Sequence, residues 1–238
     1  EVEIPVNLTK VAVCDSYNME CINVLGAVDT VAGVDSFIAN DTEAWGRVFT
    51  QDETISNDND EVNYEAVVNM GCQLFITSEC YDYQTAIDQL EPFGIKVVVC
   101  KAYDTTNFFN NMKLFGEIFN KEDRAQEICD YFQSNLDYVN KQLDGIEKKR
   151  VYFEYRNPGR VTIPGDSFYN MIEYAHADNL FADSETKDID IEAVVEANPD
   201  YIVKVSEPNV AWTYEPPTAD DFARIKDELY TRAGWDEI

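Results

Sequence analysis

The chain has 238 residues, 46 of them acidic and 18 basic, for a formal net charge of -28 with histidine neutral. Such a charge repels a phosphate backbone at long range, and no concentrated basic patch offsets it, so nucleic acid is excluded as a partner. A hydrophobic content of 45% with 13% aromatics excludes disorder as the dominant state, and no run approaches the ~20 apolar residues of a membrane-spanning helix.

In chain order, EVEIPVNLTK lacks the basic and apolar regions of a signal peptide, and the chain as given is expected to be soluble. Short β-branched runs follow at Val11 to Cys14, Val31 to Val34, Leu74 to Thr77 and Val97 to Cys100, separated by helix-length stretches. After a helical stretch from Asn107 to Phe119, apolar residues from Ala125 to Ile146 recur at spacings of three and four, which predicts one long amphipathic helix starting at Glu122. Strands resume at Val151 to Glu154 and Tyr201 to Lys204. The alternation predicts an α/β fold of two similar lobes with parallel sheets joined by a long backbone helix. The boundaries are an N-terminal lobe over 1–106, a helical linker over 107–147 and a C-terminal lobe over 148–238.

Two motifs repeat in the same order and context. Tyr17-Asn18-Met19 recurs as Tyr169-Asn170-Met171, and Asn63-Tyr64-Glu65-Ala66-Val67-Val68 recurs as Asp190-Ile191-Glu192-Ala193-Val194-Val195. The first copy is longer by about 25 residues, an insertion between Asp35 and Glu61 whose polar character predicts a surface or binding loop.

In open parallel sheets ligands bind beyond the carboxyl ends of the strands. The loops there carry Tyr17, Tyr81, Tyr83, Tyr103, Arg156, Arg160, Trp212 and Tyr214, with Trp45 in the insertion. Aromatic walls suit a large flat or hydrophobic ligand, and Arg156 and Arg160, flanking Asn157-Pro158-Gly159, suit an anion. Each of these side chains could equally cover loop backbone or decorate a solvated turn. The single histidine, His176, is expected at a helix C-terminus against the last carbonyls rather than on a metal. Cys14, Cys80 and Cys100 fall near strand ends; a soft-metal site, a Cys80–Cys100 disulfide and free buried thiols are the three readings. No nucleophile elbow, phosphate loop or dinucleotide fingerprint is present, and no catalytic residue or resident metal is assigned.

Taken together, Val2-Glu3-Ile4-Pro5, Val11 to Ser16, Leu25-Gly26-Ala27 leading to Val31-Ala32-Gly33-Val34-Asp35, Asn63-Tyr64-Glu65, Leu90 to Val97, Gly165 to Ile172 and Glu192 to Lys204 give the chain its family likeness. It resembles the substrate-binding proteins of ABC importers for iron chelates and cobalamin. It departs from them at Gly71-Cys72-Gln73, where Pro-Asp is usual, and at His176-Ala177, where Gly-Gly is usual. The resemblance implies an extracytoplasmic monomer, periplasmic or tethered as a lipoprotein by an anchor preceding Glu1. It would capture an iron-siderophore, heme or cobalamin-type metal complex and deliver it to a permease, without a cofactor of its own. It also implies that Glu65 and Glu192 dock on that permease, where capping is the alternative role. An oxyanion binder of molybdate or tungstate type and a chelatase-like metal-dependent enzyme are the alternatives. The second lobe lacks the further strand and closing helix of the family, so apolar surface is expected near Trp235.

Overall fold

The structure is a computed structural model describing residues 3–56, 61–166, 168–205 and 218–238. The chain divides into two compact units, Glu1–Ser134 and Asn135–Ile238.

Unit 1 contains β1 (Val11–Val13), α1 (Ser16–Val24), β2 (Val31–Val34), α2 (Ser36–Asn40), α3 (Tyr64–Asn69), β3 (Leu74–Thr77), α4 (Tyr83–Leu90), β4 (Lys96–Val99), α5 (Phe108–Phe119) and the start of α6 (Glu122–Leu143). The strands form one parallel sheet in the order β2-β1-β3-β4. Its strands are apolar at nearly every position because both faces are covered. Val11, Val13, Leu74 and Ile76 pack into one core with α1, α5 and α6, while Ala12, Cys14, Phe75 and Val97 pack into the other. A helix start leaves four N–H groups without partners, and short acidic or amide side chains satisfy them. Asp15, Asp35, Asn63 and Asp82 each accept a backbone N–H at the start of α1, α2, α3 and α4. Part of the chain's acidity is thus spent on starting helices.

The insertion is only partly the surface loop its polarity predicts. Ile38, Trp45, Phe49 and Ile55 are buried, and Thr54 bridges Val34 beside β2. A few large apolar residues are enough to pin a polar segment, since each gains about 1.5–3 kcal/mol on full burial. At Gly116 a Cβ would stand 2.7 Å from the Ala125 Cβ, so the glycine is what lets α5 and α6 touch.

Unit 2 contains the end of α6, then β5 (Lys149–Glu154), α7 (Tyr169–Tyr174), β6 (Ala177–Asn179), α8 (Glu192–Ala197), β7 (Tyr201–Lys204) and α9 (Ala219–Tyr230). Its parallel sheet runs β6-β5-β7. The long helix stops at Leu143 rather than near Ile146, ahead of Gly145 with φ 73. His176, at φ 53, occupies a left-handed position where the resembled family has glycine. Its Nε2 lies 2.8 Å from the Ile146 carbonyl, so the carbonyl it meets belongs to the segment before β5 and not to its own helix.

The centre of unit 2 is Glu154, fully buried at the end of β5. Lys204 from β7 lies 2.8 Å from one carboxylate oxygen and Arg232, beyond α9, 2.7 Å from the other; their side chains are only 5% and 7% exposed. Tyr152 donates its hydroxyl at 2.6 Å and Gly159 its N–H at 2.9 Å. Gly159 has φ 74, and a Cβ there would stand 2.4 Å from the Ile189 carbonyl oxygen, so the turn admits no side chain. Arg232 also pairs with Glu228 at 2.7 Å, which makes the four charges sum to zero. Burial pushes the Glu154 carboxyl up, but its hydrogen bonds from Arg232, Lys204, Tyr152 and Gly159 outweigh that and hold it below the usual range. Trp235, expected beside exposed apolar surface, is itself 1% exposed and meets Tyr152 edge to face at 5.7 Å. The exposed apolar surface lies nearby at Phe222 and Tyr230 on α9.

Glu154→Ala leaves two buried cations without their carboxylate and is expected to cost about 3–5 kcal/mol. Because the folded carboxyl titrates below its ordinary 4.5, wild-type stability from this group is whole above that pH and is lost as pH falls through the folded value. Urea unfolding of both proteins across an acid pH series checks this; equal midpoints would contradict it.

Candidate functional site

The carboxyl edge of the unit 1 sheet gathers the loops after its four strands. Asp15, which follows β1, has φ 79, an unusual conformation for a residue with a side chain. Its N–H donates to Asp35 Oδ2 at 2.6 Å, and the Tyr81 hydroxyl donates to the same oxygen at 3.0 Å. Asp35 Oδ1 receives the Ile38 N–H at 2.8 Å. Asp35 is fully buried, and burial raises its carboxyl in spite of these bonds. Burial likewise raises Asp15 against hydrogen bonds from Ser78 and the Tyr17 N–H. One buried carboxylate thereby ties together the ends of β1, β2 and β3.

Over this base stand aromatic rings. Tyr17, 48% exposed, meets Tyr103 edge to face at 6.2 Å. The Tyr103 hydroxyl donates to Glu79 at 2.7 Å, and Glu79 pairs with Lys101 at 2.6 Å. Tyr83 opens α4 and is 40% exposed. The unit therefore brings Tyr17, Tyr81, Tyr83 and Tyr103 to one edge. Trp45 is not there. It is 4% exposed in the core and donates its indole N–H to the Ile38 carbonyl at 2.9 Å, so it presents no face to a ligand.

In unit 2 the equivalent edge follows β5. Arg156 lies over the Tyr155 ring at 5.2 Å from its centroid. Lys204 donates to the Tyr155 and Arg156 carbonyls at 3.3 and 2.8 Å, which couples this loop to the buried Glu154. Arg160 reaches both oxygens of Asp188 at 3.0 and 2.8 Å, so its charge is already answered. Phe153 stacks on Phe168 at 5.2 Å beside a pocket of about 200 Å³ that Tyr155, Arg160 and Lys187 also line. Trp212 and Tyr214 lie outside the described residues.

Glu65 and Glu192 are exposed in the first turns of α3 and α8. Capping falls to others: Asn63 accepts the Ala66 N–H and Asp190 the Glu192 N–H, each at 3.0 Å. Asp35 and Glu154 carried the weakest sequence signal of the residues that build these edges. A lone acid at a strand's end is common in so acidic a chain, and only the fold shows that these two are buried.

None of the six cysteines is in a disulfide; Cys80 is exposed and the others buried. Cys80 and Cys100 therefore form no disulfide, and among the described residues no group of three metal-ligating side chains occurs. Burial pushes Cys21 and Cys100 up to about 12 and Cys72 up to about 11. Since the thiolate is the nucleophile, iodoacetamide at neutral pH is expected to alkylate Cys80 alone in the native protein. Peptide mapping checks it, and equal labelling of Cys21 or Cys100 would contradict it.

The family described as periplasmic binding protein matches residues 11–238. None of the curated proteins compared matches. Among solved structures, a possible iron-binding periplasmic solute-binding protein from Staphylococcus epidermidis aligns with TM-score 0.72 and 20% identity, covering 97% of this chain and 85% of that one. The periplasmic heme-binding protein HutB of Vibrio cholerae gives 0.72 and 19%, covering 97% and 88%. The molybdate periplasmic binding protein MolA of Haemophilus influenzae gives 0.67 and 17%, covering 98% and 75%. At these identities the likeness is one of fold.

Proposed function

The chain belongs to the periplasmic binding protein family, and from that premise we propose that it captures a metal complex of the iron-siderophore, heme or cobalamin type for an ABC importer. It acts outside the cytoplasm and performs no covalent chemistry on its cargo. The observation that carries this reading is the row of tyrosines on the carboxyl edge of unit 1, with Tyr17 half-exposed and braced by Tyr103. Aromatic rings held on a rigid base bind a flat or hydrophobic chelate by contact area, at little entropic cost. In unit 2, Arg156 supplies the complementary charge for an acidic group on such a chelate.

An oxyanion cargo would make Arg156 and Arg160 the central pair. Arg160 already holds Asp188 through two hydrogen bonds, which leaves that reading the weaker. Delivery requires a surface for the permease, and the exposed, matched Glu65 and Glu192 fit one that presents arginines. Such docking is steered by charge and weakened by salt.

Titration with hemin, ferric siderophores and cobalamin, followed by tryptophan fluorescence, is expected to find one tight ligand. Tyr17→Ala should weaken it by about 1–2 kcal/mol and Arg156→Ala by about 1.5–3 kcal/mol. A panel that leaves fluorescence unchanged, with turnover of a metal substrate instead, would favour the enzyme. Glu65→Ala with Glu192→Ala should abolish transport in reconstituted vesicles while ligand affinity stays the same; normal transport would end the docking assignment.

A further inference from the structure

Asp35 holds two residues of the tyrosine edge at once. Its Oδ2 receives the Asp15 N–H and the Tyr81 hydroxyl, and its Oδ1 the Ile38 N–H. Asp15 stands at φ 79, where a residue with a Cβ needs support from its surroundings, and its own Oδ1 accepts the Tyr17 N–H at 3.0 Å. One arm therefore runs from Asp35 through Asp15 to the first turn of α1 and Tyr17, and the other runs directly to Tyr81. The Asp35 side chain itself is fully buried, out of reach of any cargo.

All three groups on this carboxylate are donors, an arrangement that suits it only while it is ionised. A proton added to either oxygen meets a donor already in place. The N–H groups of Asp15 and Ile38 cannot turn aside without moving the backbone, whereas the Tyr81 O–H rotates about its C–O bond. Protonation thus breaks the Tyr81 bond first: the phenol turns from donor to acceptor, and a charge-assisted hydrogen bond is lost from the edge.

The surroundings bring such a proton within reach. The titratable groups that act on Asp35 are the Asp15 carboxyl, from the turn after β1, and the Tyr81 phenol, from the loop after β3; Glu20 on α1 and Asp41 after α2 extend the same run of acids. Among the described residues none of these four acids forms an ion pair, and on the β4 side Lys101 is committed to Glu79. Burial, joined by the Asp15 charge, holds the Asp35 carboxyl above its ordinary 3.8 in spite of its three hydrogen bonds.

We infer that Asp35 is a positioning residue for cargo: its ionised carboxylate sets Tyr17 and Tyr81, and affinity falls when that carboxylate takes up a proton. The inference rests on the metal-complex reading above and gives it a direction, firm capture at neutral pH and a weaker hold in acid.

Tyrosine labelled with carbon-13 at Cζ reads the phenol directly in the cargo-free protein, and Tyr81→Phe identifies the Tyr81 signal by its loss. That signal is expected to move in one step as pH falls from about 7 to about 4, and to stay still in Asp35→Asn, whose amide does not titrate in this range. Affinity for whichever of hemin, a ferric siderophore or cobalamin binds should fall about fivefold over the same step in the wild type. In Asp35→Asn it should be low throughout, and any slope that remains there belongs to the complex itself. Tyr81→Phe leaves the carboxylate and its backbone partners in place and should lose most of the step, which keeps the test decisive if Asp35→Asn folds poorly. A Tyr81 signal that ignores pH, an affinity that stays flat while the signal moves, or equal slopes in wild type and Asp35→Asn would overturn the positioning role. If no complex binds at any pH, the metal-complex reading is what fails, and the positioning role falls with it whatever the tyrosine signal does.

Discussion

One buried carboxylate organises unit 2. Glu154 loses its water on folding, a cost of several kcal/mol that a single counter-ion seldom repays. Here two cations, a phenol and a backbone N–H surround it, so every lone pair has a donor. The donors come from β7, from the segment after α9, from within β5 and from the turn at Gly159. Meeting all four at once ties those segments to one another, so the contact bears on how unit 2 assembles as well as stabilising it. Lys204 carries the constraint outward, because the same ammonium that meets Glu154 also holds the carbonyls of Tyr155 and Arg156. A side chain proposed to meet cargo thus hangs from the core.

Unit 1 solves the same problem with the opposite charge balance. Among the described residues Asp35 has no ion-pair partner, and it accepts from the Asp15 and Ile38 N–H groups and the Tyr81 hydroxyl. Dipoles in place of charges leave the carboxyl raised where Glu154 is lowered. Aromatic residues rest on this base, and the strained φ of Asp15 is held by it.

Much of this architecture was legible in the sequence. Six apolar runs named six of the seven strands among the described residues to within a residue or two at their ends, and the spacing of Ala125 to Ile146 located the long helix. The seventh strand, Ala177–Asn179, carries no apolar signature, because pairing with β5 and not composition makes it a strand. Trp45 misled for a physical reason: polar neighbours suggest a loop, yet one indole and three aliphatic or aromatic companions suffice to fold the loop inward. Charge pairing was least legible. Nothing local marks Arg160 as answered by Asp188, since the partner lies 28 positions on.

Among the described residues β7 ends its sheet, and Tyr201 and Val203 on it are 59% and 45% exposed. An open strand edge offers unpaired N–H and C=O groups to any extended chain, including a second copy. Long-range repulsion between molecules that each carry -28 opposes such pairing. That guard is a solution property, shortened to roughly 8 Å at physiological ionic strength and weaker still in concentrated salt. The strength of that opposition is therefore set by the medium: it is greatest in dilute buffer and weakest in brine or acid, which screen or erase the charge.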